Sequence, residues 1–269
     1  MDDFNENLNE TKRQANGCLH RFSKTIKVVV IGVLILLLLI PMIMIKEMIS
    51  ERGRTQEEAI DEVSQKWSLA QTVTGPYLNL QYPVTTEVDG KPKVVVSNVV
   101  LFPDELMVDG KLHTELLRRG IYEVNVYQSE LLFKGYFSSE ELRKSGVDMN
   151  LIRFDKAAVC FNLTDMRGIS EQVSIAIDDS VYVFEPGMDG LGIKNTGVHT
   201  LVDLSSLKGE QKIPYEMKIR LKGSQSVNFT PLGKTTKVNL KANWNTPSFV
   251  GSFLPENRDR LLPKRTSIT

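Results

Sequence analysis

The sequence predicts a mainly β protein: an antiparallel β-sandwich-like domain preceded by one transmembrane helix and an amphipathic stalk helix. An uncharged apolar run comes first, a helical segment with three- and four-residue apolar spacing follows, and short alternating runs fill the rest. The predicted organisation, in chain order, is a tail at 1–24, a transmembrane helix at 25–46, a stalk helix at 47–72, a β-rich domain at 73–255 and a polar tail at 256–269.

The transmembrane helix is predicted from Val28–Ile45, which contains no charged residue. About 20 apolar residues are needed to cross a hydrocarbon core of roughly 30 Å. Gly32 and Pro41 are tolerated inside a spanning helix. A cleaved signal peptide has a shorter apolar region followed by a small-residue cleavage site, and residues 42–54 contain no such site. The segment is therefore expected to anchor the chain in a lipid bilayer.

The flanking charges predict the orientation of this helix. Five basic residues precede it and three follow within a similar distance, namely Lys12, Arg13, Arg21, Lys24 and Lys27 before it and Lys46, Arg52 and Arg54 after it. Because cytoplasmic flanks carry the excess of Lys and Arg, the N-terminus is expected in the cytoplasm and the β domain in the periplasm.

The segments on either side of the span have different patterns. Met1–Ser23 is polar without a hydrophobic period, which predicts a disordered tail. Lys46–Gln71 has helical apolar spacing, and Gly75-Pro76 is predicted to stop this helix. The apolar stripe is expected to pack either against the following domain, which is the favoured interpretation, or against a partner helix.

About a dozen short strands are predicted after Tyr77, with turn signals every ten residues or so. Asp109-Gly110 is predicted to form a hairpin turn. Ile121–Gln128 and Leu131–Phe137 are predicted to be an antiparallel pair, and Ser138–Glu141 resembles a capping box that starts one short helix.

Composition excludes several classes of protein. Acidic and basic residues are equal in number, 33 each, and no segment concentrates Lys and Arg with aromatic residues, which argues against nucleic-acid binding. Cys18 and Cys160 lie on opposite sides of the predicted span, so no disulfide framework is expected. The three histidines are scattered, and no HExxH, paired CxxC or GxSxG motif occurs. We therefore expect no catalytic, metal or cofactor site.

Three candidate sites come from local patterns. Asp165 and Arg167 are two residues apart in an extended segment, so their side chains point the same way. They fit either a structural turn with an internal salt bridge, which is favoured, or a grip on a polar ligand. His199 is interpreted as a strand histidine, and the glycine-rich loop at 186–197 lacks the following helix that a phosphate cradle requires.

The third candidate is an aromatic run near the end of the chain. Trp244, Phe249 and Phe253 lie in NWNTPSFVGSFLP. They fit either a core-closing segment, which is favoured, or a docking surface for another membrane segment or protein.

Several segments taken together resemble the CreD family of bacterial inner-membrane proteins. They occur in the family's order and are Ile49–Arg52, Glu62–Ser64 with Trp67, Gln71–Pro76, Phe102–Leu106, Gly120–Tyr122, Asp165–Ile169, Gly197–His199 and Trp244–Pro255. The resemblance implies an inner-membrane protein with a β-rich periplasmic domain, connected with cell-envelope integrity and stress, and with no established enzymatic activity. It also implies a C-terminal membrane region of several helices, which this sequence is expected to lack.

Three functions remain as hypotheses, one of them a sensor stalk in which Lys46–Gln71 pairs with a partner helix. The first is an inner-membrane-anchored envelope protein that is not an enzyme and acts by structural or protein-interaction means, with the bilayer and other envelope membrane proteins as partners. The alternative is a periplasmic ligand-binding or enzymatic domain that uses the Asp165–Arg167 turn, His199 and the nearby loop. That alternative requires these groups to converge in one pocket.

Overall fold

The computed structural model describes the backbone of residues 2–88, 90–188, 191, 196–208, 212–244, 247–252 and 256–257, and within these ranges the side chains from Ile26 onward except those of 88 and 207. Contacts divide the chain into two compact units, residues 1–58 and residues 59–269. The elements in chain order are α1 (Asp2–Trp67), β1 (Gln71–Val88), β2 (Lys91–Leu101), β3 (Glu105–Arg119), β4 (Tyr122–Phe137), α2 (Glu140–Lys144), β5 (Ala157–Leu163), β6 (Ser174–Ile177), β7 (Ser180–Val183), β8 (Glu185–Pro186), β9 (Gly197–Val202), β10 (Ile213–Ser224), β11 (Val227–Phe229) and β12 (Thr235–Ala242).

The first unit contains α1 up to Glu58, including the predicted membrane span, and residues 59–67 of the helix belong to the second unit. Residues 26–67 of this helix are long and apolar enough to cross a bilayer, and none of the most apolar 18-residue window is buried. Side chains that expose their apolar surface all round the helix are what a lipid-facing span requires. The backbone is already helical from Asp2, so the expectation of a disordered N-terminal tail is wrong. The helix ends at Trp67, and β1 begins at Gln71 rather than after Gly75-Pro76.

The second unit is a β-sandwich of two six-stranded sheets, which confirms the predicted fold class. The first sheet has the order β11-β1-β5-β9-β8, with β2 also paired to β1, and the second has the order β12-β3-β4-β10-β6-β7. Most pairs are antiparallel, but β1–β11 and β3–β12 are parallel. The last two strands of the chain are thus paired with the first and third.

The core of the second unit lies between the two sheets. Phe161 on β5 and Phe133 on β4 meet edge to face, with ring centroids 5.2 Å apart. Both rings are at most 1% exposed, and Leu78, Leu80 and Ile175 around them are fully buried. Burial of such side chains contributes about 1.5–3 kcal/mol each relative to exposure. The alternation predicted from the sequence therefore places one face of each sheet in a shared core.

Two turn predictions are corrected by the structure. Asp109-Gly110 lies in the middle of β3, where a Cβ on Gly110 would come within 2.7 Å of the Leu131 and Leu240 methyl groups. Glycine is suited to this position because neighbouring leucines pack closely, and no turn is formed. The hairpin connections instead contain Gly90 and Gly120, whose φ angles are +71° and +60°.

Other local predictions have mixed outcomes. Tyr122–Phe137 form the single strand β4 rather than a hairpin of two strands, and β4 pairs with β3 and β10. Gly75-Pro76, a cis peptide, lies inside β1 at a break in the register with β5. The short helix after Ser138 is confirmed as α2, although Ser139 at its N-cap forms no capping hydrogen bond with its side chain.

Candidate functional site

The Asp165–Arg167 turn contains the ion pair predicted from its spacing. Asp165 follows β5 after one residue, and its Oδ1 accepts a hydrogen bond from the Arg167 main-chain nitrogen at 3.0 Å. The Arg167 side chain returns to the same carboxylate, with Nη2 2.8 Å from Oδ2 and Nε 3.0 Å from Oδ1. The carboxylate is 8% exposed and the guanidinium side chain 57% exposed. The guanidinium group thus forms a bidentate pair with both oxygens of the carboxylate.

The same two residues bind the C-terminal end of α1. Arg167 Nη1 donates to the Gln65 main-chain oxygen at 2.7 Å, and Asp165 Oδ2 accepts from the Leu69 main-chain nitrogen at 3.1 Å. Ser68 Oγ lies 3.3 Å from that oxygen. The last carbonyl groups of a helix have no intrahelical partner, and a cation near them is favourable. Arg167 therefore caps the helix from a distant segment of the chain.

Gln71 connects Ser68, just after the end of α1, with Asp165 in the turn. Its Nε2 donates to Ser68 Oγ at 2.9 Å and to the Asp165 main-chain oxygen at 2.8 Å, and its Oε1 accepts from the Asp165 nitrogen at 3.3 Å. Gln71 is fully buried, and a buried amide is costly unless its groups are paired. Ser64 Oγ on α1 lies 2.8 Å from Ser224 Oγ on β10. We call Ser64, Ser68, Gln71, Asp165 and Arg167 the helix-end junction.

Gly168 allows the close approach that the helix-end junction needs. A Cβ at this position would lie 2.5 Å from Gln71 Nε2 and 2.5 Å from the Lys222 main-chain oxygen. Contacts of that length do not occur between real atoms of these types. The glycine is therefore required by packing at the junction.

The surface around the helix-end junction adds weaker contacts. Glu62 on α1 pairs with Arg119 on β3 at 2.8 Å, and Lys222 on β10 lies over the Trp67 ring, 5.1 Å from its centroid. Both partners of the ion pair are more than a third exposed, so it contributes little by itself. These contacts nonetheless connect the end of α1 to two strands of the second sheet.

The electrostatics of the helix-end junction follow from the ion pair. Hydrogen bonds from Arg167 are the largest cause that lowers the pKa of Asp165 to about 2, against the opposing effect of burial. The same pairing raises the pKa of Arg167. Asp165 is consequently a carboxylate at every physiological pH, and its oxygens are already occupied by donors from the protein.

His199 lies elsewhere in the first sheet. It is half-buried on β9, where it is the register partner of Cys160 on β5. Its Nδ1 lies 2.7 Å from the Gly187 main-chain oxygen. The described contacts join His199 to the start of the 186–197 loop, but not to Asp165 or Arg167. Residues 189–190 and 192–195 of that loop lie outside the described part of the chain.

The aromatic run does not enter the described core. Trp244 is half-buried, and Phe249 is 39% exposed beside Val250, which is 89% exposed. Phe253 lies outside the described residues. The favoured interpretation of this segment as a core-closing element is therefore not supported for Phe249.

Two further features bear on chemistry. Cys160 is completely buried, and burial raises the pKa of its thiol to about 12, which is unsuitable for a nucleophile at neutral pH. Among the described residues, no group of three or more His, Cys, Asp or Glu side chains is arranged to hold a metal ion.

A cleft that the sequence did not predict lies on the outward face of the second sheet. Its volume is about 650 Å³, and charged side chains from β3, β4, β10 and β12 line it. Of the candidate site residues named from the sequence, those that the structure describes (Asp165, Arg167, His199, Trp244 and Phe249) do not border this cleft. Lys111 and Lys241 occupy outward-facing positions on β3 and β12. Local sequence patterns do not show that these two strands pair, so the cleft could not be predicted from these lysines.

The apolar helix, the β-sandwich and the junction between a helix end and the sheets define a membrane protein with an anchored β unit. The sequence model of the family described as "Inner membrane protein CreD" matches residues 23–260. This chain belongs to the CreD family. It is 30% identical over 229 residues to "Inner membrane protein CreD" of Escherichia coli (strain K12), a match that covers 84% of this chain. The match covers 50% of that relative, so the chain spans about half of the relative's length. No solved structure matches the chain.

Proposed function

We propose that this chain is an inner-membrane-anchored envelope protein that contributes to cell-envelope integrity and the response to envelope stress. In this proposal it acts through structural or protein–protein contacts of its β unit and is not an enzyme. Its partners are the lipid bilayer and other membrane proteins of the envelope. Its N-terminus is cytoplasmic and its β unit periplasmic.

The helix-end junction is the observation that carries this proposal. Asp165, Ser68 and Gln71 are hydrogen-bonded to one another, and Arg167 joins them to the Gln65 carbonyl at the end of α1, so Asp165 is used for attachment. Satisfied buried polar networks make a local structure rigid. A displacement of residues 59–67 would therefore be passed to the sheets, which suits a protein that bears or transmits load.

The functional test compares cells in which the gene is deleted with the same cells after a copy of the gene has been returned to them. We expect the deletion to increase both the uptake of a normally excluded fluorescent dye and the killing by detergent. The wild-type chain and Arg118→Ala are expected to restore both properties, because the contact of Arg118 within the described part of the chain is an exposed ion pair with Glu123. Arg167→Ala is expected to restore them poorly at equal membrane abundance. A deletion without effect, or full restoration by Arg167→Ala, would contradict the proposal.

The orientation is tested with cysteine labelling by a membrane-impermeant maleimide. Val94→Cys places a thiol on β2 at a position that is 66% exposed, whereas Cys160 is buried and should stay unlabelled in the folded protein. In cells with a permeabilised outer membrane, Val94→Cys should be labelled at once. The native Cys18 should be labelled only after the inner membrane is opened. The reverse order of labelling would show that the proposed orientation is wrong.

A further inference from the structure

The cleft on the second sheet contains a row of charged side chains that crosses four strands. Residues paired in register share one face of a sheet. Lys241 on β12 is in register with Lys111 on β3, Lys111 with Glu130 on β4, and Glu130 with Arg220 on β10. All four side chains are exposed and line the cleft.

The acidic side chains of the cleft already have partners. Asp109 Oδ1 accepts from Asn239 Nδ2 at 3.0 Å. Glu130 and Glu171 each form an ion pair with Arg220, and the Arg220 Nη2–Glu130 Oε1 distance is 3.0 Å. Glu130 and Glu171 are therefore engaged by Arg220, whereas Asp109 is held by a neutral amide group.

Lys111 and Lys241 are left without such a partner. Across the part of the chain that the structure describes, neither ammonium group forms an ion pair or a side-chain hydrogen bond. Like charges in register on neighbouring strands destabilise a sheet. An anion bound between two such charges at the wall of a cleft would be attracted by both of them and would offset their mutual repulsion.

We propose that this cleft binds a small polar ligand through a carboxylate or phosphate group held between Lys111 and Lys241. The volume of about 650 Å³ lies within the range of small-molecule sites. Leu132, half-buried in the lining, supplies an apolar contact, and Asn239 and Gln172 supply amide groups. The ligand is thus an anion with a short uncharged body. This proposal is independent of the proposed function in the envelope.

The first test measures anion binding to the full chain in detergent micelles at constant ionic strength. Inorganic phosphate and succinate are titrated separately into wild type, Lys111→Gln, Lys241→Gln and the control Lys93→Gln. Lys93 is an exposed lysine on β2 that does not border the cleft. We expect saturable binding to wild type, a loss of roughly tenfold or more in both cleft variants, and no change in the control.

The outcomes separate the two ligand chemistries. Binding of phosphate alone identifies a phosphate-bearing ligand, and binding of succinate alone identifies a carboxylate-bearing one. The absence of saturable binding of either anion overturns the proposal. Equal affinity in wild type and both cleft variants, or an equal loss in Lys93→Gln, overturns it as well.

A stability measurement provides an independent check. Because Lys241→Gln removes a like-charge contact, it should raise the thermal unfolding midpoint in the absence of the anion. Saturating phosphate or succinate should raise the midpoint of wild type, but not that of the variant. A variant that is less stable without the anion and gains as much from it as wild type would contradict the proposed role of the lysine pair.

Discussion

Arg167 Nη1 lies 2.7 Å from the main-chain oxygen of Gln65, a residue 102 positions earlier in the chain. The same guanidinium forms a fork with Asp165, whose carboxylate in turn accepts a hydrogen bond from the Leu69 nitrogen. One turn between β5 and β6 therefore hydrogen-bonds to the last turn of α1 and to the residue that follows it closely, Leu69. This relationship makes the attachment of the helix end depend on a few named side chains.

Removing the guanidinium should weaken the second unit. Arg167→Ala leaves the nearly buried Asp165 carboxylate without its cationic partner and the Gln65 carbonyl without its Arg167 donor, and we expect a loss of about 1–3 kcal/mol. The measurement is denaturant unfolding of the purified full chain. Arg118→Ala, which breaks an exposed pair with Glu123, should cost less than about 1 kcal/mol. Equal losses in the two variants would show that the ion pair at the helix end is merely a surface contact.

The stability of the second unit should depend on pH through Asp165. The pKa of this carboxyl is about 2 in the folded protein, below the ordinary value of 3.8. A group with a depressed folded pKa adds stability above its unfolded pKa and loses it as pH falls through the folded pKa. We therefore expect about 2 kcal/mol to be lost between pH 4 and 2.

Urea unfolding at a series of pH values tests this dependence. In Asp165→Asn the contribution of this group should be absent, so the decline of stability below pH 4 should be shallower than in wild type. Asp203→Asn is the comparison for an exposed carboxylate: hydrogen bonds from Ser205 also lower the pKa of Asp203, but its exposure should make the resulting change in the pH dependence smaller. A decline in Asp165→Asn as steep as in wild type would exclude Asp165 as its source.

Adding one methyl group at Gly168 should disturb the helix-end junction. In Gly168→Ala the new Cβ would press on Gln71 Nε2 and on the Lys222 main-chain oxygen, so we expect a loss of about 1–3 kcal/mol. Gly53→Ala is the control, since no atom lies within 4 Å of a Cβ there and alanine favours a helix by about 1 kcal/mol. Thermal unfolding compares the two. A harmless Gly168→Ala would mean that the junction is looser than described.

The contact between the two sheets can be tested at Phe161. Phe161→Ala removes a fully buried ring that meets Phe133, and we expect it to cost about 3–5 kcal/mol. Phe102→Ala removes a ring that is 47% exposed and should cost much less. Chemical denaturation followed by far-ultraviolet circular dichroism gives both values. Similar costs would place the core elsewhere.

Periodicity in the sequence was enough to predict the apolar helix, its continuation and the sandwich. It failed where a local signal has two physical meanings. Asp109-Gly110 has the composition of a turn, yet Gly110 is a strand residue that makes room for Leu131 and Leu240. The strand partners of β3 and β4 decide between these meanings, and those partners lie far away in the sequence.

The candidate site was likewise predicted only where its contacts are local in the sequence. The two-residue spacing of Asp165 and Arg167 correctly indicated an ion pair, because that contact is local. The roles of Gln65 and Gln71 could not be predicted, since their partners lie more than ninety residues away and each is an ordinary polar residue. The pair of lysines in the cleft was missed for the same reason.

The parallel pairing of β11 with β1 and of β12 with β3 has a consequence for biogenesis. The first pair cannot form until the ribosome has made residues 227–229, and the second not until it has made residues 235–242, although the partner strands emerge much earlier. Contacts between residues so distant in the chain slow folding. The nascent β unit must therefore be kept from premature association until its final strands arrive, and a ribosome that stalls before residue 227 would release a chain with the β1 and β3 edges uncovered.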